Sequence, residues 1–424
     1  MAHTRLIAYL VGVLIFTTSN ASWTSQFVQA DLRLAAGAYH VCALTDTGKV
    51  FCWGRNDSGQ LGNGTFVDSK IPTEVVGLAT RAQGISAGPA HTCALLIDGS
   101  VACWGSNLGN AFGTVPGENF QKPVLAWAGG NFRASSIDAG EFATCVVLIS
   151  GQSSCWGDNT FGRFGVDIPS GHPISASGWT TPTRQVVVGP AHACGLSNTN
   201  EVTCAGRAGR IGFSTDTNVI APSSYHYPTK IPGLSAKFSS ISAGNFHSCG
   251  VTSDGAVFCW GEDFLGTLGA SPIVSRGVIK VGGLPSRIAK VSAGYDKNCA
   301  LDVMGQIYCW GGGFATTSGR TTLPPVIPPA KITRSEHTAI AVATGDVHAC
   351  AILSDESVIC WGDNAYGQLG NDSLTASGSN PVRVFGLSLA AEQVAAPASS
   401  YGAIAILILF VVLISFNAQK TKTV

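Results

Sequence analysis

Fourteen cysteines stand in seven pairs whose partners lie ten positions apart: Cys42/Cys52, Cys93/Cys103, Cys145/Cys155, Cys194/Cys204, Cys249/Cys259, Cys299/Cys309 and Cys350/Cys360. Successive pairs follow at intervals of roughly 51 residues, the mark of a repeat architecture. One phrase surrounds each pair. Its first copy runs Gly37-Ala-Tyr-His40-Val-Cys42-Ala-Leu44, then Asp46-Thr-Gly48, then Val50-Phe-Cys52-Trp53-Gly54, and the seventh ends Cys360-Trp361-Gly362. A chain of seven such units has few folds open to it, because no unit can bury its apolar faces except against its neighbours.

Folding the first unit into a hairpin about Thr47 sets Cys42 directly opposite Cys52. Facing Cβ atoms of an antiparallel pair are about 4.5–5.5 Å apart and closest at non-hydrogen-bonded positions, where a disulfide is reachable. The same register makes Asp46-Thr47-Gly48 a three-residue turn whose last position takes left-handed geometry. Gly48, Gly99, Gly151, Gly255 and Gly305 hold that position; Asn200 is a tolerant substitute, and Glu356 is predicted to be strained there. His40, Cys42, Leu44, Val50 and Cys52 share one face of the hairpin, and Val41, Ala43, Phe51 and Trp53 share the other. Neither face is polar, so both must be covered. A radial array of sheets covers both, and the expected fold is an all-β, seven-bladed β-propeller with one disulfide per blade. A further element, Pro72-Thr-Glu-Val75-Val-Gly77-Leu78, recurs as Pro228 to Leu234 and as Pro381 to Leu387. The last copy has no hairpin after it, which predicts that the terminal strand closes the ring against the first unit in a permuted blade.

Charged residues are 12% of the chain, glycines number 52, and the formal net charge is zero. This composition suits tight-turned β-structure and speaks against a nucleic-acid partner. Leu6 to Phe16 is an apolar run of secretory-signal length followed by Ser19-Asn20-Ala21, so residues 1–21 are expected to be a signal peptide. Residues 22–396 are then the propeller. Tyr401 to Phe416 is apolar except for Ser415, and Lys420 and Lys422 follow. Residues 397–418 are expected to form a transmembrane helix with 419–424 as a short cytosolic tail. Ala398, Ser399 and Ser400 keep a lipid-anchor signal open as the alternative, and removal of the segment would leave a secreted protein.

The phrase Ala-Gly-x-x-His-x-Cys-Ala-Leu, then Asp-Gly, then Cys-Trp-Gly-x-Asn-x-x-Gly-Gln-Leu-Gly resembles the regulator-of-chromosome-condensation repeat. Its cysteine-bearing form is similar to the crinkly-type receptor ectodomain and to secreted bacterial repeat propellers. Units one and seven carry the full phrase, Trp53 to Gly62 and Trp361 to Gly370, and the resemblance covers roughly residues 34 to 396. Unit four departs most, with Ala205 where the tryptophan should be. The resemblance implies a propeller but not an activity, since one architecture hosts unrelated functions.

All fourteen cysteines read as structural disulfides, because an oxidising compartment and the absence of any Cys-x-x-Cys pair speak against metal or redox use. His40, His91, His192, His247 and His348 recur at one repeat position, replaced by Ala143 and Lys297, and read as histidines bonding a turn within each blade rather than as metal ligands. The repeat-phased tryptophans read as core. No serine-hydrolase elbow, phosphate-binding loop or zinc-protease motif is present, so no enzyme and no cofactor is expected. Asn56, Asn63 and Asn371 begin glycosylation triplets in loops. The longer loops of units three, four and six place Trp179, Arg210, Tyr225, His226 and Tyr227 on a low-charge surface, as candidate contact residues or as covers for neighbouring loops. The expected function is cell-surface recognition or adhesion toward a protein or glycan ligand, with a membrane co-receptor needed to signal. The alternatives are a small-GTPase exchange factor and a secreted inhibitor-like binding protein.

Overall fold

The computed structural model describes residues 31–113, 119–167, 174–175, 179, 182–213, 222–269, 276–312, 327–332 and 337–390. The expected signal peptide and membrane segment lie outside them. All but Ala390 belong to one compact unit that ends at Leu389.

Seven four-stranded antiparallel sheets follow one another along the chain, at 34–74, 82–127, 134–175, 183–230, 238–280, 288–332 and 339–388. In blade 1 the strands are Leu34–Ala36, His40–Leu44, Val50–Gly54 and Ser69–Glu74, paired in chain order. The first strand lines a central channel, and the fourth is the exposed outer edge. Cys42 pairs with Cys52 and Ala43 with Phe51 in the register read from the sequence. Every blade repeats that bridge within its own hairpin. Cys42 is bonded to Cys52, Cys93 to Cys103, Cys145 to Cys155 and Cys194 to Cys204. Cys249 is bonded to Cys259, Cys299 to Cys309 and Cys350 to Cys360, and no cysteine is free.

The core is a set of seams between blades. Cys42, Leu44, Val50 and Cys52 pack on Ile85, Ala94 and Trp104 of blade 2, while Val41, Ala43 and Trp53 pack on Ile352, Val358 and Leu369 of blade 7. Every disulfide face therefore looks to the following blade and every tryptophan face to the preceding one. The indole N–H finishes the joint. Trp53 donates to the Gln368 carbonyl at 3.0 Å, Trp104 to Gln60 at 2.9 Å and Trp310 to Thr267 at 3.0 Å, all at one loop position of the preceding blade.

Closure differs from the sequence-based expectation. The last strand, Gly378–Ser388, pairs with Ser357–Gly362 of its own blade, so no blade is shared between the chain ends. The first innermost strand already completes blade 1, which removes the need for an exchanged strand. A latch closes the ring instead. Leu389 donates its N–H to the Glu356 carbonyl and accepts from the Asp46 N–H, both at 3.0 Å. Arg33, with 12% of its side chain exposed, reaches Glu356 at 2.6 Å and Asp46 at 3.3 Å and also meets the Leu389 carbonyl. Glu356 does hold a left-handed turn position, at φ 64°, where the other blades use Gly or Asn. The latch explains that exception, because a glycine would offer Arg33 no carboxylate.

Candidate functional site

Between its first and second strands each blade passes a Gly-x-x corner to the top of the channel. The corners are Gly37-Ala-Tyr39, Gly88-Pro-Ala90, Gly140-Glu-Phe142, Gly189-Pro-Ala191, Gly244-Asn-Phe246, Gly294-Tyr-Asp296 and Gly345-Asp-Val347. These glycines allow the blades to converge. A Cβ on Gly37 would lie 2.6 Å from the Gly88 carbonyl oxygen, and one on Gly345 would lie 2.3 Å from that of Gly37. The corners enclose a mouth of about 70 Å³ that opens into a channel cavity of about 220 Å³.

Immediately below the mouth lie the recurrent histidines, all buried. Four of the five bond a side chain of the next blade, not a turn of their own, which corrects the reading from sequence. His40 Nε2 meets Thr92 Oγ1 at 2.9 Å, His91 meets Thr144 at 3.4 Å, His192 meets Ser248 at 2.9 Å and His247 meets Asn298 at 2.7 Å. The geometry is set by the blade-to-blade stagger, which brings each ring over the residue that follows the equivalent position of its neighbour. His348 faces Val41 across the seam and finds no side-chain partner among the described residues. Burial holds these imidazoles neutral, at about 3 for His40, His192 and His348 and about 4 for His91 and His247. Among the described residues no cluster of three or more His, Cys, Asp or Glu is placed to hold a metal.

The cysteines belong to the scaffold and not to the mouth. The second partners show this most directly: Cys52, Cys103, Cys155, Cys204, Cys259 and Cys360 are fully buried, and Cys309 is 4% exposed. Each sulfur is oxidised and packed among apolar side chains of a blade seam, so none presents a thiolate to the channel.

Around the mouth the corners and the loops that follow the third strands together raise aromatic and charged side chains. Phe246 stacks on Phe264 at 4.9 Å, Tyr295 stands edge-on to Phe246 at 5.1 Å, and the Arg210 guanidinium lies 4.0 Å above the Phe246 ring. A second group joins Tyr39 and Tyr366 at 5.2 Å, with Arg55 over both rings. These five aromatic residues are half-buried. Glu141 lines the mouth; burial raises its carboxyl above the ordinary range, opposed by Arg163 and Arg210. Arg163 is itself buried and donates to the Gly189 and Pro190 carbonyls, and burial lowers it to about 10.

The candidate contact residues do not converge on one site. Arg210 is at the mouth, bonded to the Asn245 carbonyl and paired with Glu262 at 3.2 Å. Tyr225, His226 and Tyr227 lie on the outer strand Ser224–Lys230. There Tyr225 stacks on Phe213 at 4.2 Å, His226 bonds Asp167 at 2.7 Å, and Tyr227 is exposed. Trp179 is not a surface contact at all: it is 9% exposed and packs with Cys145, Phe164, Val186 and Ala193 in the seam between blades 3 and 4. Its ring approaches Gly165 as Trp104 approaches Gly62, so it fills the space that Ala205 leaves in blade 4. Of the three triplet asparagines, Asn56 is fully buried and its amide donates to the Thr65 and Val67 carbonyls, while Asn63 and Asn371 are half-buried in loops. The mouth aromatics went unread in the sequence. For Tyr39, Phe246 and Tyr295 the signal was variation at the two positions after an otherwise repeated glycine, while Phe264 and Tyr366 lie in the loops after the third strands.

The repeat itself is matched by the family description Regulator of chromosome condensation (RCC1) repeat, over residues 33–60, 47–95, 83–110, 134–163, 238–266 and 339–368. These matches fall in five of the seven blades, and in those blades the repeat is similar to the regulator-of-chromosome-condensation repeat. This repeat propeller is 28% identical over 243 residues to the Ultraviolet-B receptor UVR8 of Arabidopsis thaliana, covering 56% of the chain and 54% of that receptor. It thus spans about half the length of that relative. Among solved structures the repeat propeller is similar to human WBSCR16, with TM-score 0.68 and 19% identity over 79% of this chain and 94% of that one. It is also similar to Prp20p of Saccharomyces cerevisiae, with TM-score 0.64 and 18% identity over 87% and 89%. At these identities the two structures attest the fold.

Proposed function

We propose that this chain is a non-enzymatic, extracytoplasmic binding module that recognises a protein ligand through the channel-mouth face. The observation that carries the reading is the rim itself. Arg210 with Phe246, Phe264 and Tyr295, and Arg55 with Tyr39 and Tyr366, are aromatic–arginine groups held half-open on a disulfide-stapled scaffold. Such groups carry most of the energy at protein interfaces. Their side chains are pre-seated, so little conformational entropy is lost on binding. A disulfide in every blade supports a secretory-pathway location. The apolar run from residue 401 supports anchoring at the cell surface, by a single span or by a lipid.

Affinity capture from host surface and secreted material, with the full chain against its Phe264→Ser/Tyr366→Ser variant, tests the reading. A ligand captured by the parent and lost in the variant supports it. A glycan-dependent capture that survives the rim change moves recognition elsewhere, to the outer strand around Tyr227. The fold of Prp20p, a protein described by its binding to Gsp1p and histones, supports an exchange-factor reading; specific capture of a small GTPase would install it and displace the first.

A further inference from the structure

The seven hairpin turns lie on the face opposite the mouth, and repetition makes them controls for one another. The first turn position is Asp46, Asn198, Ser253 and Ser354 in blades 1, 4, 5 and 7, but Ile97, Ile149 and Val303 in blades 2, 3 and 6. The turn geometry is shared, so folding does not require an apolar residue there. Nor are these side chains tucked away: Ile97 is 47% exposed, Ile149 67%, and Met304, next to Val303, 71%. Phe132, in the link entering blade 3, is 61% exposed. Arg133 gathers three of them. Its carbonyl accepts the Ile149 N–H at 3.0 Å and its guanidinium donates to the Ile97 carbonyl at 2.9 Å, with Phe132 adjacent in the chain. This patch sits at the junction of blades 2 and 3. Blade 6, with Val303 and Met304, is half the ring away.

The chain also leaves the propeller on this face. Leu389 bonds Asp46 and Glu356, both turn residues, and the apolar run starts at residue 401, eleven positions after Ala390. We propose that the turn face rests on the surface of a lipid bilayer, with the mouth directed away from it. The proposal rests on reading the C-terminal apolar run as the anchor. Six residues separate Ala390 from the expected span at 397–418, and even counted to residue 401 the tether reaches at most about 40 Å when fully extended. Laying the mouth on the membrane instead would require that tether to climb the roughly 20 Å height of a six-residue strand and to cross the rim as well. Two apolar points on opposite sides of a ring define a seating plane, and the exit point at the seam of blades 7 and 1 lies between them. Ile, Phe and Met enter the interfacial zone, while Arg81 and Arg133 keep their charged ends at the headgroups. Turn-face acids such as Asp46, Asp98 and Asp254 offset these cations, so the contact is apolar and salt-insensitive, and anionic lipid is not required. Tethering makes a weak contact sufficient, because it supplies a high effective concentration.

Hydroxyl-radical footprinting of the full chain in phosphatidylcholine vesicles tests the seating, each side chain being normalised to its reactivity in the urea-unfolded chain. By exposure alone Met304, Ile149 and Phe132 should react at least as fast as Leu108 and Phe161 on the mouth face. Seated on lipid, they should react roughly threefold or more slowly, with no change at high salt. Vesicle flotation separates the failures. A chain that does not float overturns the anchor and the seating together. A chain that floats with a reactive turn face leaves the anchor standing and overturns the seating. Protection of these residues without vesicles assigns the face to a protein contact and likewise overturns it.

Discussion

Exchanging the positions of one indole puts the strongest demand on the repeat description. Six blades carry the repeat tryptophan, each buried on the preceding blade. Blade 4 has Ala205, and Trp179, reaching in from the loop that leaves blade 3, occupies the vacated room beside Gly195 and Gly165. Trp179→Ala empties a site that is about nine-tenths buried and should cost about 3–5 kcal/mol. Ala205→Trp alone forces a second indole into filled space and should cost about 1–3 kcal/mol by overpacking. Combined, the two changes restore the arrangement of the other blades, so the double variant should recover most of the loss. The coupling energy should then be about 3 kcal/mol or more, far beyond the few tenths expected of independent sites. Guanidinium unfolding followed by circular dichroism gives the three midpoints. Hydrogen exchange in Thr183–Val188 and His192–Ser197 gives the local readout at the blade 3–4 seam. Additive losses, or a double variant weaker than Trp179→Ala, would show that the loop indole does not stand in for the repeat one.

Acid should unfold the ring through its histidines. Their folded pKa values lie at about 3 to 4 against an ordinary 6.5, so the stability they contribute is full above about pH 6.5 and drains as the pH falls toward 3. Asp138, which lines the channel and accepts the Val188 N–H, is pushed up to about 7 by burial and works in the opposite sense. About four net protons should therefore be taken up on unfolding near pH 5, and a denaturation midpoint flat from about pH 7 to 4 would refute the assignment. Replacing Cys42 and Cys52 together by Ala should lower stability by about 2–3 kcal/mol through the freed loop of about eleven residues; an unchanged midpoint would make the bridge ornamental. Arg33→Ala should cost about 2 kcal/mol and speed exchange first in Leu34–Ala36 and Gly378–Ser388, whereas uniform loosening would deny the latch. In a glycosylating host, mass spectrometry should find sugar at Asn371 or Asn63 and none at Asn56, whose buried amide is committed to two carbonyls; a folded product modified at Asn56 contradicts the loop geometry.

The fold was legible because its determinants are local and repeated. Ten-residue cysteine spacing, a left-handed turn position and two apolar hairpin faces each lie inside about 15 residues and recur seven times. What escaped depends on contacts between units. Thr92, Thr144, Ser248 and Asn298 each follow the histidine position of a blade whose predecessor carries His, while Ala193 and Ala349 hold that place in blades whose predecessors carry Ala143 and Lys297; Val41, behind His348, is the exception. That covariation was present in the sequence, but it has meaning only once neighbouring blades are known to be staggered. The permuted closure was expected because the last strand has no hairpin after it; Arg33 and Leu389, more than 350 positions apart in the chain, supply the closure that no local pattern announces. Trp179 carries the ambiguity of any aromatic on a loop, and an absent tryptophan at 205 was the one clue that it would be drawn inward.

Because each sheet is made of four consecutive strands, a blade can be complete as soon as its own stretch of chain has emerged. Its disulfide joins residues ten positions apart, so oxidation needs no distant partner and the wrong pairings are all longer-range. Wherever the surroundings are oxidising, a growing chain can therefore lock its blades in order, first to seventh, each new one docking on its predecessor. Only the seam held by Arg33 and Leu389 must wait until blade 7 has been made, which makes ring closure the last step of propeller assembly and the stage at which an incomplete or reordered propeller would be left open.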